Sequence, residues 1–170
     1  MKKVIFTLGL IAMFLISANN LSAQKFGYIN SIELLSELPE ISTADDAITS
    51  YQNGLVEKGQ TMVKTFETNY QKYIEDYQNG VLSALQQQQK EGELAMEQQK
   101  IQEYEYEVQT LVTKKREEMY APILEKVRVT IEQVGKEEGY TMIFDSSVGG
   151  ILSAEEGDNV LALVKSKLGI

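Results

Sequence analysis

From Ile41 to Tyr77 the apolar residues of this chain return again and again to one side of a helix. Ile41, Ala44, Ile48, Tyr51, Leu55, Met62, Phe66, Tyr70, Tyr73 and Tyr77, with Gly59 filling the single gap, make ten steps over 36 residues, a mean of 3.6. A second series runs Leu94, Glu97, Ile101, Tyr104, Val108, Leu111, Lys115, Met119, Ile123, Val127, Ile131 and Val134, eleven steps over 40 residues, with Glu97 and Lys115 as polar interruptions. That spacing is the period of a nearly straight α-helix. Both stretches far exceed the average helix of about 11–12 residues. Each carries one narrow stripe, so each requires the other to cover it, which predicts two helices zipped together and not a globular bundle.

Between the two series lies Asn79-Gly80, a turn signal whose glycine suits a helix C-terminus. The two helices are therefore expected to form an antiparallel hairpin over residues 42–121, with its tip near residues 79–90. Ser42 with Asp45, or Thr43 with Asp46, offers a capping start. Pro122 is read as the point where the returning helix leaves the arm. A limb of about 39 residues, from Thr43 to Leu82, would reach about 58 Å at 1.5 Å per residue.

The flanking segments read differently. Phe26-Gly27-Tyr28-Ile29-Asn30 suits a strand, and Ile32 to Leu38 a brief helix stopped by Pro39. Glu137-Glu138-Gly139 closes the second long helix. Tyr140 to Asp145 reads as another strand, Gly149-Gly150 as a turn and Ile151-Leu152-Ser153 as a shorter strand. Asp158 or Ser153 would cap a last helix carrying Val160, Leu161, Val164 and Leu168 on one side. The expected fold is α+β and predominantly α: a small β body formed by both chain ends, residues 24–41 and 122–170, with a long helical-hairpin arm between them. Tyr28, Ile29, Met142, Ile143, Phe144, Val164 and Leu168 are its candidate core and oligomer residues. So few strands leave open edges, which invite pairing between copies of the chain.

Composition narrows the chemistry. Among 170 residues there is no Cys, no His and no Trp, so thiolate catalysis, thiolate metal sites and the usual neutral-pH base are excluded. A net charge of −9 argues against nucleic acid as the main partner. Lys2-Lys3, an apolar run from Val4 to Ile16 and the small residues ending at Ala23 read as an export signal cut between Ala23 and Gln24. The run is too short to cross a membrane as a helix; an uncleaved anchor is the alternative. After cleavage, 14 Lys+Arg stand against 25 Asp+Glu, a charge of −11. The product would work outside the cytosol, without ATP, and no phosphate-binding loop is present.

Several clusters carry two readings. Tyr70, Tyr73 and Tyr77, with Ile101, Tyr104 and Val108 opposite, suit packing along the hairpin seam, the other reading being a ligand-stacking platform. Val81, Leu82 and Leu85 at the tip are either a plug or an exposed contact, and Tyr106 falls off the seam as a further contact candidate. Gly54, Gly59, Gly92 and Gly135 suggest limbs that bend, or helices packed closely. Glu155, Glu156 and Asp158 lack the spacing of a calcium loop and carry no strong case for catalysis. Neither a cofactor nor a metal is expected.

The order of these parts resembles the Skp/OmpH family of periplasmic chaperones. The resemblance rests on the export signal, Phe26-Gly27-Tyr28-Ile29-Asn30, the charged hairpin, Gly139-Tyr140-Thr141-Met142-Ile143-Phe144-Asp145 and the terminal amphipathic helix. It implies a Skp-like homotrimer whose arms enclose a cavity that holds unfolded outer-membrane proteins and passes them on for barrel assembly, making the barrel-assembly machinery a further partner. It implies no enzyme activity and no stable membrane anchor. The acidic chain departs from the basic, best-studied members, so lipopolysaccharide binding is not carried over. A different class of reading is a structural coiled-coil adaptor or spacer of the cell envelope.

Overall fold

The structure, a computed structural model, describes residues 24–170. The expected export signal and its Ala23/Gln24 junction involve residues 1–23, outside the described residues. Strand β1 (Phe26–Ile29) is followed by helices α1 (Ser31–Ser36), α2 (Pro39–Gln78) and α3 (Ala84–Glu137), strand β2 (Met142–Asp145) and helix α4 (Leu161–Leu168). The chain divides into two compact units: the described residues up to Leu34 together with Arg128–Ile170, and Leu35–Val127.

In the Leu35–Val127 unit, α2 and the first part of α3 run antiparallel. Cross-links between them ascend one helix while descending the other. Lys126 Nζ pairs with Glu40 Oε1 at 2.7 Å, and Tyr120 donates to Asp45. Farther along, Asn69 Nδ2 donates to Glu97 Oε1 at 2.8 Å and Tyr73 Oη to Glu91 Oε1 at 2.7 Å. Ala44, Ile48, Leu94, Tyr104 and Val127 are buried along this seam.

Both prolines act differently from the sequence reading. Pro39 does not merely end α1; it opens α2, where its fixed φ suits a first helical turn and its missing N–H is one that has no helical acceptor. The Ser42 and Thr43 capping starts are therefore unused, and Thr43 Oγ1 instead donates back to the Pro39 carbonyl at 3.0 Å. Pro122 lies inside an unbroken α3. It is exposed, so water can take the carbonyl that its ring leaves without a donor.

In the other unit, β1 and β2 pair in parallel, Phe26 opposite Met142 and Ile29 opposite Asp145. Strand alternation sends Gly27, Ile29 and Ile143 to one face, and Phe26, Tyr28, Met142 and Phe144 to the other. Ile29, Leu34, Val134, Val160 and Val164 are buried; Tyr28, Ile143 and Leu168 are half-buried. Met142 and Phe144 do not join this core: they are 56% and 47% exposed, beside Phe26 at 43%. The Phe26 and Phe144 rings lie 6.2 Å apart on this open face.

The expected third strand at Ile151–Ser153 does not form. Asp145 and Gly149 (φ +74°) instead bracket a 3₁₀ turn at Ser146–Val148, and Leu152 is 99% exposed. The free edge of β1 is met by Asn159, through an isolated parallel bridge to Tyr28. Neither Ser153 nor Asp158 caps α4; Asn159 Oδ1 accepts from Leu161 N at 2.9 Å.

Asp145 ties the chain ends together. Its Oδ1 accepts from Ser31 N at 3.2 Å and from Ser147 N at 2.9 Å, and its Oδ2 accepts from Ser31 Oγ at 2.5 Å. Burial pushes the carboxyl up, yet these bonds outweigh it and hold the group at about 2. A depressed folded pKa contributes stability that is present above the ordinary value of 3.8 and is lost as pH falls toward 2. In denaturant titrations between pH 5 and pH 2, wild-type protein should lose stability through this window more steeply than Asp145→Asn.

Gly27 is a close-approach residue: a Cβ there would sit 2.8 Å from the Tyr140 ring and 3.1 Å from Val160 Cγ1, with Val160 fully buried. Gly27→Ala should therefore lower unfolding free energy by about 1–3 kcal/mol, measured at fixed protein concentration.

Candidate functional site

The end of the hairpin is built by two caps meeting. Gly80 takes φ +65°, Val81 N donates to the Asp76 carbonyl and Gly80 N to the Tyr77 carbonyl, both at 3.1 Å. This is the Schellman arrangement that stops α2. Three residues on, Ser83 N donates to Gln86 Oε1 at 2.9 Å and Gln86 N returns to Ser83 Oγ at 3.4 Å. That reciprocal pair is a capping box and starts α3 at Ala84. The turn itself occupies residues 79–83, inside the region near 79–90 expected for the tip, and Gln86 to Gln89 are helical. Ser83-x-x-Gln86 is the sequence signal that locates its second edge.

These caps leave apolar side chains facing water. Val81 is 67% and Leu85 65% exposed, while Leu82 is half-buried. From Tyr77 to Gln89 no residue carries a charge. Tyr106, farther along α3, is 81% exposed. A tip of this chemistry offers apolar contact and amide hydrogen bonding without ionic selectivity.

The six seam candidates are not placed alike. Tyr104 is buried; its ring lies over Gly59, 3.4 Å from where a Cβ would be, and its Oη donates to the Leu55 carbonyl at 3.1 Å. Ile101 and Val108 are half-buried and line an open groove with Leu55, Val56, Met62 and Val63. Tyr73 is half-buried, and its bond to Glu91 pushes its phenol up to about 12. Tyr70 and Tyr77 need correction: they sit at the margin of the seam, too exposed to be packing residues. Period assigns a side of the helix, and one partner helix does not cover the whole of that side.

The other clusters stay dispersed. Glu156 and Asp158 lie in a 3₁₀ turn that Glu155 precedes. Among the described residues no group of three His, Cys, Asp or Glu is arranged to hold a metal ion, and no helix is long and apolar enough to cross a membrane. Of the glycines, Gly54 and Gly92 meet nothing within 4 Å of an added Cβ, so tight packing is not what requires them.

Glu97 is the polar flaw of the seam. Its Oε1 is held by Asn69, but its Oε2 is buried with no hydrogen-bond partner. A buried acceptor left unsatisfied costs stability. Glu97→Leu should therefore raise the unfolding free energy by about 1 kcal/mol, read from denaturant midpoints at constant slope.

The family model described as outer membrane protein (OmpH-like) matches residues 25–168. A search of curated proteins returns no match. Among solved structures, a candidate outer membrane chaperone (OmpH-like) from Caulobacter crescentus CB15 superposes with a TM-score of 0.72 at 10% identity, covering 86% of this chain and 85% of that one. At that identity the likeness is one of fold.

Proposed function

Because this chain belongs to the OmpH-like outer membrane protein family, we propose that it is an ATP-independent periplasmic holdase that binds unfolded outer-membrane proteins and keeps them from aggregating before insertion. The observation that carries this reading is the uncharged, outward-facing tip, Val81 and Leu85, on a hairpin otherwise dense in charge. Unfolded barrel strands alternate apolar and polar residues and aggregate in water. An uncharged apolar contact binds such strands weakly and with little preference among sequences, as a holdase requires. Several such arms acting on one chain make the binding tight through effective concentration while each contact stays reversible.

Assembly supplies the several arms. The open face of the two-stranded sheet, Phe26, Met142 and Phe144, is an apolar patch of the kind that closed homo-oligomers bury. We take the protein to be a homotrimer assembled through the unit that contains this sheet, with the hairpins gathered around the client. Release then needs no fuel, only a site where the barrel folds more favourably, such as the assembly machinery of the membrane.

The test is light scattering of a urea-denatured outer-membrane barrel diluted into buffer. Stoichiometric trimer should suppress the scattering, and native mass spectrometry should record three chains per client. A coiled-coil spacer between folded partners would leave the scattering unchanged, and that result overturns the proposal. A monomeric mass for the free protein would overturn the assembly.

A further inference from the structure

The same four residues, Tyr-Gln-Asn-Gly, occur twice in this chain, at 51–54 inside α2 and at 77–80 across its C-terminal end. An apolar pair follows each, Leu55-Val56 in the first case and Val81-Leu82 in the second. Both asparagines are exposed, and both glycines have open space where a Cβ would be. Local sequence and solvent access are therefore matched, and the backbone is what differs. Asn53-Gly54 lies in the interior of α2, with helical turns on either side. Asn79-Gly80 is the cap itself: Asn79 has φ −81° and ψ −1°, and Gly80 turns left-handed at φ +65°.

Asparagine followed by glycine carries a latent reaction. The backbone nitrogen of the glycine can attack the asparagine Cγ, since no Cβ shields it. The new N–Cγ bond closes a succinimide ring, the Cγ–Nδ2 bond breaks, and ammonia leaves with the proton that the glycine amide gives up. Water then opens the ring at either carbonyl, leaving aspartate, or isoaspartate with the main chain running through Cβ and Cγ. Folding holds the reaction back where the glycine N–H is engaged and the backbone cannot turn toward the side chain. Within α2 the Gly54 amide is part of the helix ladder, and freeing it means unwinding the helix on both sides. At the cap the Gly80 amide is held by its 3.1 Å bond to the Tyr77 carbonyl, beside the 3.1 Å bond from Val81 to Asp76. An exposed helix end is where local opening costs least.

We infer that Asn79 is a deamidation site, released by fraying of the Schellman cap, and that the interior of α2 keeps Asn53 intact. The inference stands on the geometry of the turn and goes beyond the holdase reading. Its product places a carboxylate in the stretch from Tyr77 to Gln89, which carries no charge. The new anion lies at a helix C-terminus, where the dipole disfavours it, and isoaspartate adds a backbone atom to the turn that Gly80 makes. An uncharged tip becomes an acidic one with an altered chain path.

Site-resolved mass spectrometry of the native protein, incubated at mildly alkaline pH and digested beside an unincubated sample, tests this. Deamidation adds about one dalton. It should accumulate at Asn79 at least about tenfold faster than at Asn53, with isoaspartate among the products. In denaturing guanidinium, which removes the backbone difference, the two sites should react within about twofold of each other. Asn79→Gln should abolish the gain in the peptide spanning the tip. A gain that persists in this variant belongs to Gln86 to Gln89 and overturns the assignment. Equal native rates at the two sites overturn the inference, as does an Asn79 that stays intact in native protein while the denatured chain reacts. Aspartate without isoaspartate overturns the succinimide route.

Discussion

A parallel pair of strands cannot be closed by a tight turn. Here β1 and β2 are parallel and lie on either side of residues 30–141. Everything between them has to leave the first strand and come back to the second. Two long helices zipped along one seam do this with a single reversal, at Gly80 and Ser83, and nearly all backbone groups along the way are satisfied within the helices. The Asp145 clasp on Ser31 then closes the loop in sequence, joining positions 114 residues apart. The rest of the structure follows from this return path.

The seam that makes the return possible is incompletely filled. Tyr104 over Gly59 is a close fit, and Ala44, Ile48, Leu94 and Val127 are well covered. Elsewhere a two-helix layer has only one partner to offer. Val56, Val63, Tyr70 and Tyr77 stay partly in water on α2, and Met96 on α3. In a globular domain a third element would cover them. A hairpin leaves them as apolar surface edged by charge. Surface ion pairs such as Lys72–Asp76 and Lys90–Glu93 keep the limbs hydrated and add little stability of their own.

The sheet shows the same economy. With only two strands, one face covers Ile29 and Ile143, while on the other Phe26, Met142 and Phe144 stay partly in water. The result is a fold in which the sheet face and the margins of the hairpin are open for one reason: too few layers to bury every apolar side chain that regular periodicity produces.

Much of this was legible without coordinates. A 3.6-residue period sustained over ten steps has no reading except a long helix, and Asn79-Gly80 marks its end because only a residue free of a Cβ takes that left-handed turn cheaply. Gly139 announced the end of α3 in the same way. Local chemistry could not say how a proline would act, since Pro39 and Pro122 are compatible with a helix start, a break or a tolerated exposed site, and the choice depends on what lies alongside. Nor could it tell that β1's free edge would pair with Asn159 instead of Ile151–Ser153, or that Tyr73 would be anchored while Tyr70 and Tyr77 stood clear. Sequence by itself determined which side of each element is apolar, because that is a property of spacing along one chain. Tertiary structure alone decided how much of each side is covered, because coverage is set by the width and number of the partners that reach it.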